Sequence, residues 1–190
     1  MARNNMSIRL QEILLDGEEV RWTGRPKPFA LLGADSKREI LLTWFFSAII
    51  LFAALVLLFF SLASGAYPLG QALILLSVVL FLPLVLSVRP LTDKKCLEQE
   101  TFYAITNLRI ISIVRDEALF IPLKKGVKMA VEKTSHELGN LCFGSAIGQP
   151  QKKRRSLAVS GRRDSDSRST MDGILFYNVE YPETLMAHFV

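Results

Sequence analysis

Residues 40–88 form a hydrophobic stretch with no Asp, Glu, Lys or Arg, in a chain whose charged residues make up 22% of the total. The stretch divides into two apolar runs. Residues 40–62, about 23 positions at roughly 1.5 Å rise each, give a helix about 35 Å long, more than the roughly 30 Å hydrocarbon core of a bilayer. Residues 69–88 meet the same threshold. Between them, Gly65 and Pro68 interrupt the helical pattern, and Tyr67 is of a type favoured at membrane interfaces. Every helical face is apolar, whereas a soluble core helix keeps a polar stripe at a 3.6-residue period. The pattern predicts two membrane-spanning helices in an antiparallel hairpin. Ser36 and Glu39, at capping-box spacing, put the start of the first near Lys37.

Outside the hairpin the periodicities change. Met6, Leu10, Ile13 and Leu14 fall on one helical stripe that ends at Asp16-Gly17, with no basic region leading into an apolar core as a cleavable signal would have. This amphipathic helix lies either on a membrane surface or against the protein's own domain. Val20 and Trp22 alternate with charged residues as in a short strand, and Gly24, Pro26 and Pro28 make the following turn. After Arg89-Pro90, short runs rich in β-branched and aromatic residues predict strands over residues 101–106, 109–114, 118–123, 127–133, 140–144 and 173–181. Residues 182–190 open with Pro-Glu and read as a closing helix. A meander of strands capped by one helix makes a small antiparallel β-barrel or sandwich.

Charge orients this arrangement. Arg21, Arg25, Lys27, Lys37 and Arg38 precede the first span, Arg89, Lys94 and Lys95 follow the second, and the turn carries no cation. The positive-inside rule then places both termini in the cytoplasm, for a multi-pass protein of the cell (inner) membrane. The net charge of +5 is accounted for by anionic lipid at that leaflet, and no aromatic residues interleave the cations as nucleic-acid binding would require. The hydroxyls within the spans (Thr43, Ser47, Ser61, Ser77 and Ser87) are not ionisable, so the hairpin reads as an anchor and not as an ion pathway. Pro83 predicts a kink. Cys96 and Cys142 lack the spacing of a zinc site or a disulfide framework.

Two motifs carry a family resemblance. Tyr103-Ala104-Ile105-Thr106-Asn107-Leu108-Arg109-Ile110-Ile111 resembles the Y-x-(I/L)-T-(N/D)-x-R-(I/L/A)-I signature of bacterial PH-domain-like (pleckstrin-homology-like) two-span membrane proteins. The segment from Glu18 to Pro28 resembles the G-E-x-x-x-W-x-G-x-P stretch that often precedes the hairpin in that group. The resemblance implies an α+β membrane protein in which the hairpin is followed by a seven-stranded, partly open PH-like barrel, closed by a C-terminal helix at the cytoplasmic face. Residues 1–36 would be a cytoplasmic N-terminal segment, 37–89 the hairpin and 90–190 the PH-like domain. The chain departs from the family pattern at residues 149–172, a basic insert with the composition of a mobile loop.

For the strand motif itself, Thr106-Asn107 suits a hairpin turn that uses Asn's tolerance of the left-handed region, with Tyr103, Ile105, Ile111 and Ile113 on one apolar face. Arg109 either binds an anionic headgroup or pairs with an acidic neighbour. Trp22 is an interfacial anchor or a core plug, and Arg25, Lys27 and Arg89 are candidate headgroup contacts. Lys152, Lys153, Arg154 and Arg155 are a candidate polybasic tether, with Ser156 behind them as a modification site. His136 and His188 have no metal-ligand spacing, and neither a nucleophile–base pair nor a glycine-rich phosphate loop is present. The expected function is a non-catalytic, cofactor-free binding or scaffold module for a protein or lipid partner. The alternative is an accessory subunit that stabilises a membrane enzyme or transporter through its hairpin, and self-association fits either reading.

Overall fold

The computed structural model describes residues 2–33, 37–65, 68–123, 127–163 and 171–186. Ser36, Tyr67, residues 164–170 of the basic insert and residues 187–190 of the expected closing helix, His188 among them, lie outside these. The chain divides into two compact units, Met1–Ala30 with Asp93–Val190, and Leu31–Thr92. The N-terminal segment and the downstream domain, expected as separate pieces, therefore form one unit. β1 (Val20–Gly24) joins them by pairing antiparallel with β2 (Thr101–Thr106).

That first unit is α+β, with two four-stranded antiparallel sheets. One has the order β1-β2-β3-β4, where β3 is Arg109–Val114 and β4 Glu117–Pro122. The other has the order β5-β6-β8-β7, from β5 (Met129–Lys133), β6 (Leu138–Gly144), β7 (Arg162–Arg163) and β8 (Met171–Glu180). Neither sheet closes on itself, because the ladder stops at β4 and begins again at β5. This is a face-to-face pair of open sheets, not a closed barrel.

The strand sequences are apolar on both sides because both faces of each sheet are covered. Tyr103, Ile105, Ile110 and Leu119 of the first sheet meet Leu141, Phe143 and Phe176 of the second in the central core. Ala104, Ile111 and Ile113 point the other way and are covered by α1 (Ala2–Ile13) through Leu10, with Ile13 and Leu14 beside it. The register Ile105↔Ile110 and Ala104↔Ile111 enforces this split. Ile111 and Ile113 thus sit opposite Tyr103 and Ile105, not on the same face as the alternation suggested. Of the two places open to the N-terminal stripe, α1 takes the one on the protein's own sheet.

Cys142 and Leu175, on the outer face of the second sheet, are covered by Leu97 and by Ala158 of α4 (Gln151–Ser160). Residues 151–160 of the basic insert are thus a packed helix. It follows Pro150 and ends at Gly161 (φ 60), whose N–H donates to the Leu157 carbonyl at 2.8 Å. Its Leu157, Ala158 and Val159 supply the apolar contact that a mobile loop lacks. One turn of helix, α5 (Pro182–Leu185), puts Leu185 into the central core.

The second unit is helical. α2 (Lys37–Ala63) is long and apolar enough to cross a membrane, and none of its apolar window is buried. α3 (Leu69–Glu100) contains Pro83 and Pro90. Its two halves, Leu73–Phe81 and Pro83–Glu100, are bent by 41° and make a second candidate span only if taken together. Proline at 83 removes the N–H that would bond the Val79 carbonyl, which accounts for the break. The helix does not stop at Arg89-Pro90 as expected: it continues to Glu100, and β2 begins at the next residue.

Candidate functional site

The motif residues of β2 and β3 meet at a buried ionic cluster in the first unit. The Ile105↔Ile110 register leaves Thr106 and Arg109 flanking the tight turn at Asn107-Leu108. Thr106 Oγ1 accepts from the backbone N–H of Leu108 (3.1 Å) and of Arg109 (2.8 Å), and donates to Glu18 Oε1 at 2.6 Å. Arg109 donates through Nε to Glu18 Oε1 (3.0 Å) and through Nη2 to Glu18 Oε2 (2.6 Å) and the Ile13 carbonyl (2.8 Å). The Leu15 N–H also donates to Glu18 Oε2, at 2.9 Å. The Glu18 side chain is fully buried, Arg109 is 13% exposed, and its guanidinium lies 5.0 Å over the Phe120 ring. Burial alone would raise the Glu18 pKa. The Arg109 hydrogen bonds, aided by the Leu15 N–H and the Thr106 hydroxyl, outweigh it and hold the group at about 2.

Of the two roles open to Arg109, the geometry supplies the acidic neighbour. Asn107 is likewise a connector. Its φ is not positive, so the turn does not use the left-handed region; instead its side chain reaches back to the N-terminal segment. Oδ1 accepts from Glu19 N–H at 2.9 Å and Nδ2 donates to the Gly17 carbonyl at 3.3 Å. Gly17 has φ 79, the left-handed conformation the turn after α1 demands. Tyr103 stacks on Phe176 with ring centroids 4.3 Å apart, and its hydroxyl accepts from Tyr177 N–H at 3.0 Å. Burial pushes its pKa up. The two sequence motifs are therefore one device, in which the N-terminal motif, through Glu18, clamps the hairpin built by the motif at residues 103–111.

The expected headgroup contacts are not brought together. Trp22 packs on the central core, its ring 6.1 Å from Phe176, and a Cβ on Gly24 would run into the indole. Arg25 lies 5.6 Å over the Phe102 ring, and Lys27 Nζ pairs with Glu180 at 2.6 Å. Arg89 is exposed on α3 in the other unit. On α4, Lys153 is exposed, Arg155 is half-buried, and Arg154 is 18% exposed and pairs with Glu132 at 2.9 Å; the Lys152 side chain lies outside the described structure. Both cysteines are free and buried. Burial, and after it the Glu132 carboxylate, push the Cys142 thiol up to about 12, and burial raises Cys96 as well.

In the helical unit, Trp44 Nε1 donates to the Ser87 carbonyl at 3.1 Å and Ser87 Oγ to Ser47 Oγ at 3.0 Å, tying α2 to α3. At the start of α2, Lys37 and Arg38 border a shallow crevice of about 530 Å³ floored by Leu41, Leu42 and Phe45. Two cations beside apolar side chains match an anionic headgroup above an acyl chain. In the sequence these cations mark only the start and the orientation of the first span, and Glu18 only a motif position; the pairings of Glu18 with Arg109 and of Glu132 with Arg154 are not encoded in residue spacing.

Among the described residues no group of three or more His, Cys, Asp or Glu is placed to hold a metal ion. No protein-family model, curated protein or solved structure matches this chain.

Proposed function

We propose that the chain is a two-span membrane protein with both termini in the cytoplasm, whose β unit is a PH-like, non-catalytic binding or scaffold module for a protein or lipid partner. The observation that carries this reading is α2, a 27-residue helix whose apolar window is wholly unburied. In water such a surface is an aggregation liability, and in a bilayer it is satisfied. The cations Lys37 and Arg38 at its start fit the cytoplasmic interface. Within the β unit the titratable side chains in close contact are taken up in ion pairs, as Glu18 is with Arg109 and Glu132 with Arg154. That pattern suits a rigid display surface better than acid–base chemistry.

The test uses the full chain in native membranes. It should resist alkaline extraction, a cysteine placed at Ser64 should label from outside, and one at Lys153 only after permeabilisation. Photo-crosslinkers at exposed positions of the β unit, such as Lys153 and Tyr181, should capture a defined protein or lipid. Capture by hairpin positions alone would replace this reading with that of an accessory subunit, and release into the soluble fraction would remove the membrane reading.

A further inference from the structure

The helical unit contains a cleft for which the anchor reading has no use. Between the second half of α2 and the first half of α3 lies a cavity of about 830 Å³, walled by Leu57, Leu58, Leu75 and Leu76, with Ser61 and Gln71 among its few polar lining groups. Its volume falls in the range of small-molecule sites, roughly 300–1,000 Å³. The hydrogen bonds that tie α2 to α3 lie elsewhere, at Trp44, Ser47 and Ser87.

Ser61 indicates what the cleft takes. Other hydroxyls on these helices are satisfied by the carbonyl one turn back: Thr43 Oγ1 donates to the Glu39 carbonyl at 2.9 Å and Ser77 Oγ to the Leu73 carbonyl at 2.8 Å. Ser61 Oγ is buried and has no hydrogen-bond partner among the described residues. A buried hydroxyl without a partner is unfavourable, so an occupant that supplies an acceptor is favoured. Ser61 lies about 36 Å along α2 from Lys37 at 1.5 Å per residue. With Lys37 at one interface, that depth falls beyond a core of about 30 Å, in the layer that holds ester groups.

We infer that the cleft between α2 and α3 binds an acyl chain of a glycerolipid, with the ester carbonyl accepting from Ser61 Oγ and the Gln71 amide and the chain running along the four leucines. The lining includes no charged residue, so the headgroup charge is not read. Close helix packing in membranes uses small residues, whereas Leu57, Leu58, Phe60, Leu75, Leu76 and Val79 make most of this lining large, which disfavours a helix from a second copy as the occupant. The inference rests on α2 and α3 being membrane spans.

The experiment places the purified full chain in phosphatidylcholine vesicles with a phosphatidylcholine analogue that carries a diazirine on its acyl chain near the ester. After photolysis, label should concentrate on residues 54–64 and 71–79 over residues 45–52 of α2. Ser61→Ala should lower it about fivefold, the worth of one hydrogen bond of about 1 kcal/mol. Leu76→Trp, which fills the cleft, should reduce it to the level of residues 45–52 while leaving vesicle association intact. Label spread evenly over both helices would overturn the lipid site while the membrane reading stands. A chain that does not associate with the vesicles would overturn both.

Discussion

The two units treat polar and apolar groups in opposite ways. In the β unit the large apolar side chains are buried in layers, and Glu18, Thr106 and Asn178 go inside with partners: Glu18 with Arg109 and Thr106, and Asn178 with the Lys27 carbonyl, although Ser112 Oγ is buried with none among the described residues. In the helical unit the apolar side chains face outward, Phe52, Phe59 and Phe81 among them, and only a few hydrogen bonds link the two helices. The β unit is specified from within, by a register and an ion pair that admit one arrangement. The helical unit has fewer such ties, and its exposed apolar surface suits the bilayer proposed above.

The largest test of this contrast is Phe176→Ala. Phe176 is fully buried and touches the rings of Trp22, Tyr103 and Phe143. Its truncation should destabilise the β unit by about 4 kcal/mol in denaturant melts of the full chain while leaving membrane extraction unchanged. Next, Arg109→Met strands the Glu18 carboxylate in the interior and should cost about 3 kcal/mol, part of which Glu18→Gln in the same chain recovers. Because the Glu18 pKa of about 2 lies below that of a free carboxyl, near 4.3, its ionised form stabilises the fold fully above about pH 5 and progressively less as pH falls toward about 2. The melting-temperature gap between the protein and its Glu18→Gln variant should therefore be constant above that range and close through it. A gap that widens in acid would exclude the cluster as drawn.

Smaller effects are expected in the helical unit. Trp44→Phe removes one interhelical hydrogen bond and should lower resistance to denaturing detergent by about 0.6 kcal/mol; a loss as large as that of Arg109→Met would erase the distinction between the units. Smallest of all is the response of Cys142 to thiol reagents at pH 8. With its pKa pushed to about 12, only about one thiol in 10⁴ is ionised, so folded protein should stay unlabelled for hours and react fully once unfolded. That thiol cannot serve as a native topology reporter, and an introduced surface cysteine takes its place.

Much of the secondary structure is legible in the sequence because each signal is local. The start of α2 at Lys37, the bend at Pro83, and β2 and β3 at Thr101–Thr106 and Arg109–Val114 all follow from periodicity and breakers. The pairing of β1 with β2 is not legible, since nothing near Trp22 names Ile105 as its partner. α4 was hidden by its four consecutive cations, although Pro150, Gly161 and the Leu157-Ala158-Val159 run mark its ends and its apolar side. The continuation of α3 past Pro90 runs against local propensity, and helix is formed there because Cys96 and Leu97 find cores to enter. Of the candidate site residues, those in the two motifs converge. The scattered cations do not, because a cation's use depends on which carboxylate or ring the fold delivers to it.

The pairing of β1 with β2 also has a consequence for biosynthesis. Trp22 and its partner Ile105 are more than eighty positions apart, which at about 5–20 residues per second is roughly 4–17 s of translation. During that interval the nascent N-terminus holds an unpaired strand, and the ribosome is delivering the apolar helices. The sheet cannot be completed until α3 has been made, so the order of synthesis imposes an order of assembly. A fragment begun at Leu91 would lack both β1 and Glu18, leaving β2 as an open edge and Arg109 as a buried cation without its carboxylate.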